Sequence, residues 1–153
     1  MRRLPEPVAG EPGLFVIDAT WGTIQPLQLP GAVRTVAELE VIEHLRANGL
    51  VVDCRQPGDI SRGTLPSALA IRHEEIVVGL GPYEDRTPIV LYCNGPQCLA
   101  TPDAVGLLLD AGWDPASLRY YRGGIHNWVT LGLPLARGGD DQPGDRAAID
   151  SAG

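Results

Sequence analysis

The run Ile89-Val90-Leu91-Tyr92 constrains the fold more than any other part of this sequence. It is apolar without interruption, is introduced by Thr87-Pro88, and gives way at once to Cys93-Asn94-Gly95-Pro96. It is too short for a helix and lacks the alternation of a half-exposed strand, so it reads as a strand buried on both faces. Strands of that kind belong to parallel sheets covered by helices. Leu50-Val51-Val52 is a second such run, and Leu14 to Ile17, Ala68 to Ile71 and Leu118 to Tyr121 read as further short strands. Helical patterns fall between them. Thr35-Val36-Ala37-Glu38 has the spacing of a capping box, with the Thr35 hydroxyl accepting from the Glu38 N–H. The helix after it carries Leu39, Val41, Ile42 and Leu45 and stops at Asn48-Gly49. His73 to Gly79 reads as a helical turn. Thr101-Pro102-Asp103 opens a helix, with Thr as N-cap and Pro at the first position, that ends near Ala111-Gly112. Ile125 to Leu131 is a last short helix. The order predicts an α/β fold with a mostly parallel central sheet flanked by helices on both faces.

The 153 residues suit one domain, and a hydrophobic content of 44% is enough for a core. The expected organisation is an N-terminal extension over 1–34, partly ordered, then the domain over 35–137, then an acidic tail over 138–153 with little to bury. Phe15, Ile17, Trp21 and Leu27 in the extension suit either a cover for the domain or a contact between two copies. Net charge is -7 with no basic block, which argues against nucleic acid or an anionic membrane as partner. No apolar stretch approaches the roughly 20 residues of a membrane span, and Leu4-Pro5-Glu6-Pro7 interrupts any leader pattern. Three cysteines make a poor disulfide scaffold, and His44, His73 and His126 lie at no zinc spacing. The expectation is a cytoplasmic protein without metal or cofactor, monomeric or homodimeric.

The chemistry converges on Cys93. A thiol delivered by a buried strand into a loop before a helix faces backbone N–H groups and the positive end of a helix dipole. Both favour the thiolate, which is the nucleophile. Cys98 in the same loop reads as a passive first-turn residue, a sulfur relay, or a resolving thiol that closes a disulfide with Cys93.

From about Thr35 to Leu135 the chain resembles a single-domain rhodanese, on four motifs in order. Val51-Val52-Asp53-Cys54-Arg55 is similar to that family's strand end, and Gly63-Thr64-Leu65-Pro66-Ser67-Ala68 to its following turn. Tyr92-Cys93 with its Gly-containing loop resembles the active-site loop. Arg122-Gly123-Gly124-Ile125-His126-Asn127-Trp128, then Gly132-Leu133-Pro134, resembles the terminal motif. Thr64 stands where a His is usual, Ser67 where a Gly is usual, and Cys98 where an Arg is common. Asn94 to Cys98 therefore looks like a subfamily signature. The resemblance implies that Cys93 takes a sulfane sulfur from a donor such as thiosulfate or a persulfide, on a small molecule or a partner protein. It would then pass the sulfur to a thiol acceptor, in two transfers with ping-pong kinetics. The amides from Asn94 through Gly95, Gln97 and Cys98 to Leu99, with Pro96 contributing none, would cradle the anionic persulfide.

Asp53 and Arg55 read as supporting residues, Arg55 pairing with a carboxylate or capping loop carbonyls. Arg122 reads either as the positive charge the loop lacks or as a solvated surface residue. His126 is expected at the surface or partly packed, Cys54 as a small packed side chain, and Trp21, Trp113 and Trp128 as packing residues. A Cys-dependent phosphatase needs an Arg six positions after its cysteine to fork onto phosphate. Leu99 stands there, which argues against that chemistry and against oxyanion reduction. A thiol redox protein using Cys93 and Cys98, and a non-catalytic binding module on the same fold, remain as alternatives.

Overall fold

The computed structural model describes residues 5–16 and 22–137. A five-stranded parallel sheet in the order β3-β7-β6-β4-β5 forms its centre. The strands are β3 (Arg34–Val36), β4 (Val51–Asp53), β5 (Leu69–Ala70), β6 (Ile89–Tyr92) and β7 (Leu118–Tyr121). Ile89 to Tyr92 is buried throughout and central, as a run without a polar face requires. A separate two-stranded antiparallel ribbon joins β1 (Glu6–Pro7) to β2 (Phe15–Val16). The N-terminal extension thus contains a strand at Glu6–Pro7, and the strand expected over Leu14 to Ile17 pairs with it outside the main sheet. Ile17 and Trp21 lie outside the described residues, as does the acidic tail over 138–153.

The helices are α1 (Glu38–Arg46), α2 (Pro57–Ile60), α3 (Ile76–Leu80), α4 (Ala100–Asp110) and α5 (Gly124–Thr130). Successive side chains of a strand point to opposite faces, so each inner strand feeds two cores. On one face Val52, Leu91, Leu118 and Tyr120 pack with Ile76, Leu80, Ala104 and Leu108 from α3 and α4. On the other, Val51, Val90, Tyr92 and Tyr121 pack with Val41, Ile42, Leu45, Ile125 and Trp128 from α1 and α5. Trp128 is fully buried, and its indole N–H donates to the Pro134 carbonyl at 2.7 Å. Trp113 is partly buried against the first core.

Two helix starts differ from the sequence reading. Thr35 belongs to β3, where its hydroxyl donates to the Leu27 carbonyl at 2.5 Å. The N-cap of α1 is Ala37, whose N–H faces the Glu40 carboxylate at 3.4 Å. Sheet pairing of Thr35 with Tyr120 took the residue that the local pattern offered as a cap. Likewise α4 begins at Ala100 after Leu99, and Thr101 is buried inside the first turn instead of capping it.

Candidate active site

The parallel register aligns Asp53 with Tyr92, so Cys54 and Cys93 emerge side by side at the carboxyl ends of β4 and β6. The Cys54 N–H donates to the Tyr92 carbonyl at 2.9 Å. This edge is where ligands bind in open α/β sheets. Cys93, only 2% exposed, opens the loop that runs to Leu99 and into α4.

The carbonyls of that loop are held from several directions. The N–H groups of Ile125 and His126, at the start of α5, donate to Cys93 at 3.1 Å and Asn94 at 2.9 Å. Within the loop, the Cys98 N–H donates to Gly95 at 3.0 Å, and the Asp103 N–H donates to Leu99 at 2.9 Å. With its carbonyls occupied, the loop is fixed in one conformation around the two thiols. Gly124 is required here: its φ is +60°, and a Cβ would stand 2.3 Å from the Cys93 carbonyl oxygen. His126 is buried at 3% exposure, with Gly95 packed against its ring. The expectation of a surface or partly packed His126 is therefore corrected: close packing of α5 on the loop draws the ring inside.

The thiols divide the charge in an order the sequence did not predict. Cys93 and Cys98 form a small cluster of their own with Ala100, and both are reduced. The Cys93 thiol points at the Cys98 carbonyl oxygen, 3.8 Å away. Burial pushes Cys93 well above the usual thiol range, and its hydrogen bond to Cys98 adds to this. Cys98 is pulled down to about 6, first by the hydrogen bond from the Cys93 thiol, then by the N–H groups of Ala100 and Asn94 and the charge of His73. It also sits just before the N-terminus of an 11-residue helix, where an anion is favoured. The two shifts run in opposite directions, Cys93 up and Cys98 down, which favours the anion on Cys98. The N–H groups of Ala100 and Asn94 and the start of α4 lie beside the second cysteine.

Three buried polar atoms around the thiols have no well-formed hydrogen bond among the described residues: the hydroxyls of Thr101 and Tyr120 and the Asn94 side-chain carbonyl. Thr101 lies against both Cys54 and Cys93 and draws each toward its thiolate. Cys54 is fully buried, and burial holds its thiol up, as suits a packed residue.

Asp53 and Arg55 lie on the other face of the sheet. Arg55 Nε donates to Asp53 Oδ1 at 2.9 Å, and its Nη2 donates to Asp53 Oδ2 at 2.7 Å and to the Gly63 carbonyl at 2.6 Å. The hydroxyls of Thr64 and Tyr92 donate to Asp53 Oδ2 at 2.8 and 2.5 Å, and the Leu65 N–H donates to the Tyr92 hydroxyl at 2.9 Å. Both side chains of the ion pair are 0% exposed. Burial opposes the Arg55 charge, but hydrogen bonding and attraction to Asp53 outweigh it and raise the guanidinium further. The network ties the turn after α2 to the central strand that delivers Cys93.

Arg122 is half-buried and its guanidinium reaches residue 25. Its Nε and Nη2 donate to the Gln25 carbonyl at 3.0 and 2.7 Å, and the Gln25 N–H donates to the Pro96 carbonyl at 2.7 Å. Residues 22–25 therefore form a strap across the active-site loop. Gln25, missed from sequence, is 9% exposed and so buried, whereas Leu27 is exposed. No local pattern around Gln25 signals this contact. The only hint was Arg122 itself, a cation at the carboxyl end of a strand.

The sequence pattern of the rhodanese-like domain matches residues 38–131. A curated HTH-type transcriptional regulator of Mycobacterium tuberculosis is 33% identical over 95 residues, which is 62% of this chain and 41% of the regulator. A sulfurtransferase of Allochromatium vinosum is 29% identical over 86 residues, covering 56% of this chain and 77% of that protein. The chain thus spans about two fifths of the first relative and about three quarters of the second. Among solved structures, a thiosulfate sulfurtransferase of Pseudomonas aeruginosa aligns with a TM-score of 0.56 at 22% identity, over 78% of this chain and 24% of that one. Among the described residues no helix is long and apolar enough to cross a membrane.

Proposed function

Because this chain belongs to the rhodanese-like domain family, we propose that it is a sulfurtransferase that moves a sulfane sulfur through a persulfide on Cys93. The observation that carries the reading is the contact of Cys93, at the carboxyl end of the central strand, with a second cysteine, Cys98, whose hydrogen bonds favour its anion. As a donor R–S–S⁻ approaches, Cys98 takes the Cys93 proton, and the freed thiolate attacks the outer sulfur of the donor. R–S⁻ leaves, and Cys93 carries the transferred sulfur. An acceptor thiolate then attacks that outer sulfur, and the Cys93 thiolate leaves and recovers its proton from Cys98.

The loop supplies N–H groups and a helix end but no Arg or Lys between Cys93 and Thr101. A singly charged persulfide on a small thiol or a partner protein suits this site better than the thiosulfate dianion, which bidentate cations bind best. Thiosulfate is accordingly expected to show a high KM, and a low micromolar KM would refute this account of donor choice. Cys93→Ser is expected to abolish transfer. Cys98→Ser should keep much of it, with the rate rising only at higher pH because the base has gone. Equal and complete loss in both variants would overturn the division of roles.

A thiol redox role is the second reading, favoured by the contact between the two thiols. Mass spectrometry separates the two. Treatment of Cys98→Ser with a persulfide adds the mass of one sulfur if transfer is the function. Mild peroxide alone removes two hydrogens if a Cys93–Cys98 disulfide is the working state.

A further inference from the structure

We propose that Cys98 discharges the Cys93 persulfide from its inner side, releasing hydrosulfide and leaving a Cys93–Cys98 disulfide. This rests on the persulfide reading above and gives the same site a second outcome. A persulfide has two electrophilic sulfurs, and the products depend on which one is attacked. Attack on the outer sulfur transfers it. Attack on the inner one, the cysteine's own Sγ, expels the outer sulfur as hydrosulfide.

Access decides between them. Cys93 is 2% exposed, so its Sγ is shielded from an acceptor in solution, which meets only the outer sulfur. Cys98 has no such restriction. It packs against Cys93 in their shared cluster, and the Cys93 thiol is turned toward the Cys98 backbone. The turn closed by the Cys98 N–H on Gly95 brings the two cysteines together within one loop. Cys98 holds the proton it took from Cys93 during loading, and it sits just before the N-terminus of α4, so it is the thiol placed to reach the inner sulfur and to give up that proton as it does so.

The step balances. Cys98 Sγ forms a bond to Cys93 Sγ while the Sγ–Sδ bond breaks, and Sδ leaves with the electron pair and with the proton that Cys98 had taken from Cys93, as HS⁻. The sulfane sulfur is reduced and the two cysteine sulfurs are oxidised. A dithiol reductant then reopens the disulfide for the next round. With an acceptor thiol abundant, transfer dominates. With none, the protein releases sulfide and locks itself oxidised.

The test uses the full chain loaded to completion with glutathione persulfide, desalted, and left without acceptor. Wild type is expected to release about one sulfide per chain and to end with two hydrogens fewer than the reduced protein. Cys98→Ser and Cys98→Ala are each expected to keep the added sulfur and release almost none until a thiol is supplied. Wild type that keeps its added sulfur would overturn the inference alone and leave transfer standing, as would either variant releasing sulfide at the wild-type rate. Failure of every protein to gain sulfur would overturn both this inference and the transfer reading.

Discussion

Replacing Arg55 with Met asks whether the Asp53–Arg55 pair is framework or chemistry. Methionine fills much of the arginine's volume but leaves Asp53, 0% exposed, without a counter-charge. Lost with the guanidinium are its contacts to Asp53 at 2.9 and 2.7 Å and to the Gly63 carbonyl at 2.6 Å. Asp53 keeps the hydroxyls of Thr64 and Tyr92, which satisfy its lone pairs but do not cancel its charge. Breaking a buried pair from one side costs about 3–5 kcal/mol. For a chain of this size that corresponds to a melting temperature lower by roughly 6–20 °C. Urea unfolding of the single variants and of Asp53→Asn/Arg55→Met measures the coupling. The double variant should recover a large part of the loss, since no buried charge remains. A cost for Arg55→Met below about 1 kcal/mol, or a double variant that is merely the sum of the two singles, would refute the reasoning. Alkylation of Cys93 in the folded variant should proceed at the wild-type rate, because Tyr92 and Cys93 point to opposite faces of the sheet and only Tyr92 touches the network.

Two further expectations concern the thiols and the strap over them. The pair should lose its first proton near pH 6, seen as ultraviolet thiolate absorbance that disappears in Cys98→Ser; a midpoint near the ordinary thiol value of 9.0 would show the charge is not stabilised. Because the folded value lies below the unfolded one, Cys98 contributes stability that is complete above about 9.0 and is lost as pH falls through about 6, so unfolding midpoints should rise with pH across that window in wild type and less so in the variant. For the strap, Gly22 has φ of +74°, and an added Cβ would stand 2.5 Å from the Gln97 carbonyl oxygen, so Gly22→Ala should displace residues 22–25. Arg122→Ala, which frees the Gln25 carbonyl, should act in the same direction, and both should speed Cys93 alkylation several-fold; unchanged rates would mean that the strap does not control access.

Much of this protein was legible because its strands are short, buried and punctuated. Ile89 to Tyr92 and Leu50 to Val52 can satisfy their apolar side chains only inside a covered sheet, and helical patterns between such runs leave little but parallel topology. The position of Cys93 followed from the same reasoning, since a strand end before a helix is a fixed place in such a sheet. Capping was less legible. Thr35 and Thr101 both suit an N-cap, but pairing of β3 with β7 claimed the first and burial against Cys54 and Cys93 claimed the second.

The sequence alone determined the layers and the strand end at which Cys93 stands, because periodicity, turn chemistry and local motifs are short-range properties. Contacts between distant segments decided the rest. Asp53, Arg55, Thr64 and Tyr92 became one buried network only when β4, β6 and the turn before Leu65 were brought together. Gln25 and Arg122, 97 residues apart, met across the loop that follows Cys93. Above all, burial raises the Cys93 thiol while hydrogen bonds draw Cys98 down. That balance depends on which sulfur is buried and which one the N–H groups of Asn94 and Ala100 face, and only the folded chain sets those directions.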